Sequence, residues 1–401
     1  MKRVVIIDHF CKTPDETGNN RFIYIAELMC LNGINVEIIT TNFAHLKKQH
    51  RVNKESLLEK LPYKFTMLPE PGYKKNVCLR RFFSHYIFGR NLNKYLNTIE
   101  KPDLVFVSIP SLDVGNVARK YCKKNKIPFI VDIQDLWPEA FKLVFRIPLL
   151  NDLIFCPMTI QANRIYAQAD RIVAVSETYK KRGLLSNHKD ANGLCVYLGT
   201  DLDRFDIFSK NTTIQKSSDE IWVVYVGTLG HSYDLELIFD ALNLVNDKTK
   251  QKVVFHILGD GPFLTKFQEY STKCRIESVF HGRMDYASMV SFLKNCDIAV
   301  NPIAKGAAQS IINKHADYAA ASLPVINTQE CEEYRNLIDK YHCGINCQTI
   351  NSTEVADALL LLISDKTLRQ KMGSASRKMA EDYFNRKVTY TQIIEQVQEL
   401  L

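Results

Sequence analysis

The stretch that decides the architecture, residues 301 to 327, reads NPIAKGAAQSIINKHADYAAASLPVIN. The apolar run 298–300 before it and the apolar run after Pro324 predict two strands, and the small residues between them predict a loop. Ser310 can cap a helix of about three turns, which must end before Pro324. A strand, a loop, a helix and a second strand in this order are typical of a parallel α/β sheet.

The start of this helix carries the chemistry. Asn313 and Lys314 fall in its first turn, where free backbone N–H groups and the helix dipole favour an anion. Asp317 follows at a spacing of three to four residues, so the three side chains share one face. The pattern predicts a diphosphate on the first turn and a ribose whose hydroxyls bond to Asp317. The alternative is an ordinary exposed ion pair between Lys314 and Asp317.

Size and composition indicate a large globular protein. A chain of 401 residues, 46% of them hydrophobic, exceeds what one core usually spans, so we expect two domains. The apolar runs fall short of the 18 or so residues that span a membrane, and the start MKRVVIIDHF reads as a mature cytosolic one. Eleven cysteines without a C-x-x-C pair indicate reduced thiols. The nearest approach to a metal site, His342 with Cys343 and Cys347, lacks a second ligand pair, so we expect no metal.

Charge is divided unevenly along the chain. Residues 1–200 hold 30 Lys and Arg against 18 Asp and Glu, a net +12, whereas residues 201–401 hold 22 against 26, a net −4. The familiar nucleic-acid-binding motifs are missing, so we expect no nucleic-acid partner. An anionic membrane surface facing the first half would account for the imbalance.

Five short apolar runs organise the first half, and each is followed by a loop and in most cases by a helical pattern. They are residues 4–7, 36–40, 104–108, 129–132 and 171–175. They predict a parallel sheet wound on both faces, with ligands beyond the carboxyl ends of its strands. The first loop is long and contains Gly18 before a helix from about Arg21 to Leu31, so Gly18 is a candidate donor contact.

The loop after the fourth run, residues 131–141, reads VDIQDLWPEAF. Asp135 and Glu139 flank Trp137, and polar groups beside a flat aromatic ring suit a sugar acceptor. In the alternative interpretation Trp137 anchors the core and Pro138 begins a helix whose first turn holds Glu139.

Two segments are candidates for membrane contact. Residues 79–94 place apolar side chains at helical spacing with basic residues to the side, which is typical of a basic amphipathic helix. Its candidate acceptor or membrane contacts are Arg80, Arg81, Phe82 and Phe83. Residues 141–155 add a second apolar stretch with basic residues. A helix packed on its own sheet would show the same stripe, so that alternative stays open.

The second half repeats the pattern after a connection at residues 199–218. Four strand ends in a row carry Gly-rich or Asn-Pro turns, through which backbone amides can approach a nucleotide closely. The candidate donor-binding glycines in these turns are Gly227, Gly230, Gly259 and Gly261.

The order of these parts resembles the retaining nucleotide-sugar glycosyltransferases of the GT-B fold, family four, in the branch that builds bacterial surface polysaccharides such as O-antigen and capsule. The motifs that carry the likeness are DIQDLWPE (132–139), ADRIVAVSE (169–177), YVGTLG (225–230), ILGDGP (257–262), FHGR (280–283) and INKHADYAAASLPVI (312–326). The resemblance implies an α/β protein with two Rossmann-like, doubly wound parallel-sheet domains facing across a cleft. It implies an acceptor domain at 1–199, a nucleotide-sugar domain at 200–380 and a terminal helix at 381–401 returning to the first.

The resemblance also implies roles for single residues. Gly230 would lie near the diphosphate, Asn313 and Lys314 would bind its oxygens, Asp317 would hold the ribose and Arg283 would lie near the base. The family's E-x7-E pattern becomes Gln309-x7-Asp317, in which Gln309 cannot stabilise positive charge on a sugar and Asp317 has a shorter reach. The catalytic candidates are Asp135, Lys314 and Gln309.

The implied activity is metal-independent transfer of a hexose or N-acetylhexosamine, with retention, from a nucleotide-diphosphate sugar to a lipid-diphosphate-linked saccharide. A UDP-sugar is the favoured donor, and no cofactor is expected. The protein would act in the cytoplasm at the inner face of the membrane. The alternatives are a GT-B nucleotide-sugar epimerase and a non-catalytic nucleotide-sugar-binding protein.

Overall fold

The computed structural model describes residues 1–16, 20–52, 55–76, 78–144, 150–190, 192–210, 214–274, 276–307 and 310–401. The chain divides into two compact units. Unit 1 comprises Met1–Val196 and Tyr390–Leu401, and unit 2 comprises Tyr197–Thr389. The sequence-based domain boundaries at 199/200 and 380/381 lie near these limits.

Unit 1 is built on a parallel sheet. Its strands are β1 (Arg3–Ile7), β2 (Asn35–Thr41), β3 (Phe43–Ala44), β4 (Gln49–His50), β5 (Lys64–Leu68), β6 (Leu104–Ile109), β7 (Phe129–Ile133), β8 (Arg171–Ala174) and β9 (Leu194–Cys195). The described part of the sheet has the order β5-β2-β1-β6-β7-β8-β9, and β3 pairs with β4 in a separate antiparallel hairpin. The order reverses between β1 and β6, and such a switch point is where doubly wound sheets bind ligands.

Unit 2 repeats this arrangement. Its strands are β10 (Glu220–Val226), β11 (Lys252–Leu258), β12 (Glu277–Gly282), β13 (Ile298–Asn301), β14 (Val325–Asn327) and β15 (Gly344–Asn346). They form a parallel sheet in the order β12-β11-β10-β13-β14-β15. The switch point of this sheet lies between β10 and β13.

Helices cover both sheets. Those of unit 1 are α1 (Arg21–Leu31), α2 (Glu55–Leu58), α3 (Leu79–Leu96), α4 (Leu112–Asn125), α5 (Glu139–Val144), α6 (Asn151–Gln168) and α7 (Glu177–Leu184). Those of unit 2 are α8 (Leu202–Ser209), α9 (Leu235–Asn246), α10 (Leu264–Lys273), α11 (Tyr286–Leu293), α12 (Asn313–Ala320), α13 (Glu332–Tyr341), α14 (Ser352–Ser364), α15 (Lys366–Met379) and α16 (Arg386–Thr389), with a π-helical turn at Ala380–Phe384. The last helix, α17 (Thr391–Leu400), belongs to unit 1 and packs on α1.

The predicted parallel sheets are confirmed. The five apolar runs of the first half become β1, β2, β6, β7 and β8, and their side chains are buried because helices cover both faces of the sheet. The helix expected over Arg21–Leu31 has those bounds. The edge strand β5 has no counterpart in the prediction, because its sequence KFTML begins with an exposed lysine and lacks a continuous apolar run.

The stretch 199–218, expected to be a connection, contains the helix α8, which Asp201 caps by accepting a hydrogen bond from the backbone N–H of Arg204. Just before it, Thr200 pairs with Asn385 in a parallel bridge, and the Arg386 side chain donates to the carbonyls of Leu198 and Gly199. These contacts tie the beginning and the end of unit 2 together.

The eleven cysteines form no disulfide in the described structure. Cys156, on α6, is the one whose side chain is exposed, and the other ten are buried or half-buried. Within the described ranges, no helix combines the length and the apolar character needed to cross a membrane.

Candidate functional site

The candidate donor site lies at the switch point of unit 2, where β10 and β13 end side by side. Gly227 follows β10, and its backbone has a φ of 151°, a conformation that suits glycine. The loops after β10, β11 and β12 join at this edge, because the N–H of Gly227 donates to Leu258 and the N–H of Gly259 donates to Gly282. Backbone therefore meets backbone where the sequence predicted close approach of a nucleotide.

The candidate glycines differ in what surrounds them. A Cβ at Gly259 would lie 1.8 Å from the carbonyl oxygen of Gly227, and one at Gly261 would lie 2.3 Å from that of Leu229. These two glycines are needed for loop packing. A Cβ at Gly230 would meet nothing nearer than 3.9 Å, so Gly230 presents an open side.

Helix α12 begins at Asn313, and Ile312 is its N-cap residue. The expectation of a three-turn helix capped by Ser310 is wrong, because α12 has 8 residues and Ser310 lies outside it. The carbonyl of Ser310 instead accepts a hydrogen bond from the side chain of Gln329. His315 stabilises the helix start, where its Nδ1 accepts from the N–H of Ile312 at 3.3 Å. Asn313 and Lys314 do occupy the first turn.

Lys314 is buried and has neither an anion nor a hydrogen-bond partner in the described structure. Its Nζ lies between two aromatic rings, 4.3 Å from the centroid of Tyr225 and 4.2 Å from that of Tyr233. It is also 3.7 Å from the position that a Cβ at Gly227 would occupy. Burial lowers the pKa of Lys314 well below its usual value. The switch point thus contains a buried lysine amine without a counter-ion in the described structure.

Asp317 is positioned by polar side chains from two other elements. The hydroxyl of Tyr286, on α11, donates to its carboxylate at 2.9 Å and lies 2.7 Å from the hydroxyl of Thr200. Burial raises the pKa of Asp317 to about 6, and the hydrogen bond from Tyr286 and the charge of Arg386 oppose this shift. The carboxylate is therefore held in one orientation and titrates near neutral pH.

The remaining donor candidates are distributed as follows. Asn313 and Arg283 are exposed, Arg283 in the turn after β12 and Asn313 at the tip of α12. Gln309 and Gly18 lie outside the described residues. The loop just before Gln309 is anchored by Glu330, whose carboxylate accepts from the N–H of Gly306 at 3.0 Å.

Four residues at this site were not identified from the sequence: Tyr225, Tyr233, Tyr286 and Glu330. Tyr225 and Tyr233 stand within and just after the YVGTLG motif, but a lone tyrosine in a strand or loop gives no sign that its ring contacts a lysine 89 or 81 residues further along the chain. Tyr286 lies three residues after Arg283, at the start of α11, and could be identified only once its hydrogen bond to Asp317 was known.

Asp135, the acceptor-side candidate of unit 1, lies just after β7 and is partly buried. Its carboxylate accepts from the backbone N–H of Leu136 at 2.9 Å and from the side chains of Trp137 and Tyr179. Burial raises the pKa of Asp135 in spite of these hydrogen bonds. The carboxylate can accept a further hydrogen bond from an acceptor hydroxyl.

The residues beside Asp135 are engaged within unit 1. Trp137 is buried, and its ring stacks on His85 at 5.8 Å and packs edge-on against Phe141 at 4.7 Å. Glu139 begins α5 and forms an ion pair with Arg182. Trp137 therefore has the surroundings of a core anchor, and Glu139 has those of an acidic residue in the first turn of a helix.

The basic segment forms α3 and divides its side chains between two faces. Leu79, Arg80, Phe83 and Tyr86 are exposed, the three apolar ones by 87%, 56% and 54%. Phe82 is half-buried and contacts Phe141. Arg81 points to the inner side, where its guanidinium lies over the ring of Trp137.

Among the described residues, no group of three or more His, Cys, Asp or Glu side chains lies close enough together to hold a metal ion.

Comparison with known proteins agrees with this architecture. Residues 207–379 match the family described as glycosyl transferases group 1. A sequence search of curated proteins finds no match. HepE (Alr3699) of Anabaena, solved in complex with UDP, has a TM-score of 0.72 at 14% identity, with both chains covered completely.

Two further solved structures are similar along nearly the whole chain. Sucrose-phosphate synthase from Thermosynechococcus elongatus has a TM-score of 0.71 at 14% identity, covering 100% of this chain and 99% of the other. WaaG, a glycosyltransferase involved in lipopolysaccharide biosynthesis, has a TM-score of 0.66 at 14% identity, covering 97% and 98%. Together with the two doubly wound sheets, these likenesses show that the chain has the GT-B fold.

Proposed function

We propose that the protein is a retaining glycosyltransferase that moves a sugar from a nucleotide-diphosphate sugar, preferably a UDP-sugar, to a lipid-linked saccharide in surface polysaccharide biosynthesis. The observation that carries the donor half is the unpaired Lys314 at the switch point of unit 2. Burying an ammonium without an anion costs several kcal/mol, and a cation–π contact returns only about 2 kcal/mol at best. A bound diphosphate would supply the missing negative charge.

The donor would be held at three points. The diphosphate lies against Lys314 and the first turn of α12, where backbone N–H groups and the helix dipole also favour an anion. Asp317, oriented by Tyr286, accepts hydrogen bonds from the ribose. Gly230 leaves room on its open side for the phosphates, and Arg283 contacts the base.

Transfer proceeds with retention of configuration. The acceptor hydroxyl attacks the anomeric carbon from the face that the diphosphate leaves, the bond from that carbon to the phosphate oxygen breaks, and the hydroxyl proton passes to the departing diphosphate. Lys314 stabilises the negative charge that grows on the leaving oxygens, which is electrostatic catalysis of the oxyanion type. Asp135 orients the acceptor hydroxyl. These steps use no metal ion from the protein.

The acceptor half rests on unit 1. Its α3 and α6 expose apolar side chains, among them Leu79 and Phe83 on α3 and Leu153 and Ile154 on α6. We call these side chains, together with the exposed Arg80, the apolar face; their apolar and basic character suits the anionic cytoplasmic surface of a membrane. The protein would thus work in the cytoplasm, peripherally bound to the inner membrane, where lipid-linked acceptors are found.

The test is incubation with a panel of nucleotide sugars in the presence and absence of a lipid-diphosphate-linked saccharide. A product that carries a new sugar, formed only when the acceptor is present, supports the proposal. Conversion of the free nucleotide sugar without acceptor would instead identify an epimerase. Tight binding of nucleotide sugar without turnover under any condition would identify a binding protein, the alternative motivated by Gln309 in the first position of the E-x7-E pattern.

A further inference from the structure

A second unpaired cation lies at the switch point of unit 1. Arg81 is surrounded by three aromatic rings, and its guanidinium carbon is 5.7, 5.6 and 4.9 Å from the centroids of Phe10, Tyr73 and Trp137. One of its amino groups donates to the backbone carbonyl of Asn76, and its buried Nε has no hydrogen-bond partner among the described residues. No carboxylate in the described structure forms an ion pair with Arg81.

Further polar groups lie around these rings. Lys48, in the β3–β4 hairpin, lies 4.8 Å from the centroid of Tyr73 and likewise lacks an acidic partner in the described ranges. His45 contacts the hydroxyl of Tyr73, and His85 stacks on Trp137 with a buried Nε2 that has no partner. We call this set the Arg81 cluster: Phe10, His45, Lys48, Tyr73, Arg81, His85 and Trp137.

The cluster is built for a negative ligand. Burial and the charges of Lys48 and Arg81 lower the pKa of His45 to about 3 and also lower the pKa of His85, so both rings stay neutral. Burial and the charge of Arg81 lower the pKa of Lys48 to about 8. Arg81 and Lys48 therefore share a partly desolvated space without an ion-pair partner among the described residues, although the charge of Arg81 acts on the Asp135 carboxylate. The rings alone return too little energy to account for two such charges.

The fold places this cluster where ligands bind. Phe10 comes from the loop after β1 and Trp137 from the loop after β7, so both lie at the carboxyl end of the unit 1 sheet. Asp135, the candidate that orients the acceptor hydroxyl, comes from the same loop as Trp137.

The helix that carries Arg81 also presents the apolar face. Arg81 lies in the first turn of α3, and the exposed Leu79 and Phe83 are each two residues away from it. Guanidinium and ammonium groups bind phosphate oxygens with charge-assisted hydrogen bonds. A phosphate attached to a long apolar chain would satisfy the cluster and the apolar face together, whereas a free phosphate would satisfy only the cluster.

We propose that the Arg81 cluster binds the phosphate groups of a lipid-linked acceptor, with Arg81 and Lys48 as the charged contacts and the lipid chain running over Leu79 and Phe83. This assignment deepens the proposed function and rests on its acceptor half. The donor half of that function does not depend on it.

The test is calorimetric titration with farnesyl diphosphate, a prenyl diphosphate used as the probe, after the donor site has been filled with saturating UDP. Wild-type protein should bind it, and Arg81→Met should weaken binding by about 30-fold or more, the scale of losing one partner of a desolvated charge pair. Arg90→Met is the matched control, because Arg90 is exposed on the same helix and lies outside the cluster. That variant should change the affinity less than about twofold.

Two other ligands separate the sources of the anion. Farnesol, which has the chain without phosphate, and inorganic pyrophosphate, which has the phosphates without the chain, should each bind far more weakly. Farnesol binding as tightly as the diphosphate would overturn the anion site. Pyrophosphate binding as tightly would overturn the lipid assignment.

Folding and the donor half are checked in the same samples. Lys48→Met should also weaken the binding of farnesyl diphosphate. It provides an independent test of the cluster if Arg81→Met lowers the melting temperature. UDP binding should be unchanged in both variants. Normal UDP binding together with wild-type affinity of both variants for farnesyl diphosphate would refute the Arg81 cluster alone, whereas loss of UDP binding in wild-type protein would count against the proposed function.

Discussion

The switch points of the two sheets both contain a basic side chain among aromatic rings, but different groups surround it. Each lies where the strand order reverses, between β1 and β6 in unit 1 and between β10 and β13 in unit 2. Each has a basic side chain among aromatic rings without an acidic partner in the described structure, Arg81 in the first and Lys314 in the second.

The difference between them lies in what fills the rest of the edge. In unit 2, glycine loops pack backbone on backbone and leave the space beside Gly230 open. In unit 1, buried pairs of charged and polar side chains occupy the corresponding edge: Arg21 binds Asp132 at 2.8 Å, and His9 donates to Glu70 at 2.8 Å. The edge of the unit 2 sheet is therefore formed mainly by backbone groups, and that of the unit 1 sheet mainly by side chains.

The largest effect should follow from changing Lys314. Lys314→Met should lower the rate of sugar transfer by roughly 100-fold or more, the scale of losing one oxyanion donor. It should also raise the unfolding free energy by roughly 1 kcal/mol or more, because a buried amine without a partner is replaced by an apolar chain. Turnover assays and thermal denaturation measure the two effects. A near-normal rate would remove Lys314 from the mechanism.

A change in the protonation of Lys314 should also be measurable when UDP binds. Burial lowers its pKa in the free protein, and a bound diphosphate would favour the charged form, so UDP binding should take up protons. Calorimetry at pH 8 in buffers of different ionisation enthalpy measures this uptake. Lys314→Met should abolish it, while Lys294→Met, which removes an exposed charge at the end of α11, should not.

The next effect concerns pH and Asp317. With a pKa of about 6, its carboxylate is ionised at pH 7 and, in the proposed function, would accept ribose hydroxyls; protonation at lower pH would remove that acceptor. Affinity for a UDP-sugar should therefore fall by up to about tenfold per pH unit below 6. The groups that face Asp317 are Tyr286, Thr200 and Arg386, so Tyr286→Phe should move the midpoint to higher pH.

Stability should move in the opposite direction at this position. The pKa of Asp317 in the folded protein is above the value of about 3.9 for an unfolded chain. Its contribution to stability is therefore full below pH 4 and is lost as the pH rises through 6. Asp317→Asn should remove the pH dependence of UDP-sugar binding without lowering the melting temperature at pH 8. A binding profile that keeps its midpoint in Asp317→Asn would assign the titration to another group.

The glycine loops give a smaller effect that separates packing from binding. Gly261→Ala should lower the unfolding free energy by about 1 to 3 kcal/mol, because the new Cβ would lie 2.3 Å from the carbonyl of Leu229. Gly230→Ala has no such contact and should leave stability within about 0.5 kcal/mol. Chemical denaturation distinguishes the two, and equal losses in both variants would contradict the role of Gly230 as the open position.

The smallest effect concerns the apolar face of unit 1. Phe83→Ser combined with Leu153→Ser should reduce sedimentation with anionic vesicles by roughly tenfold, since each substitution removes about 1 kcal/mol or more of apolar burial. Leu185→Ser is the matched control, because Leu185 is equally exposed in unit 1 but lies outside the face. Equal retention of all three proteins on vesicles would exclude this face as the membrane contact.

Much of the fold could be predicted because buried parallel strands appear in the sequence as short apolar runs between loops. The apolar runs of β1 and β6 are buried on both faces, and their short length, their Val and Ile content and the loops around them favour strands over buried helices. The strand β5 was not predicted because it lies at the edge of the sheet, where one neighbouring strand is missing and the apolar pattern is weaker.

The candidate site residues that could be predicted are those whose reactive side chains also follow a local sequence pattern. Asn313, Lys314 and Asp317 follow helix spacing, and their placement on α12 agrees with that spacing. Their partners do not follow any local rule. Tyr286 reaches Asp317 from α11, 31 residues back along the chain, and the carbonyl of Ser310 accepts from Gln329 instead of Ser310 capping α12. Contacts of this kind arise from tertiary packing, which a periodic pattern does not encode.

The single exposed thiol, Cys156, has a practical consequence. It lies on α6 beside Leu153 and Ile154, while the other cysteines are shielded to a greater or lesser extent. A polarity-sensitive maleimide dye would therefore attach to the natural protein preferentially at that spot. Its emission would signal the moment when this side of the molecule leaves water for hydrocarbon, without any change to the sequence.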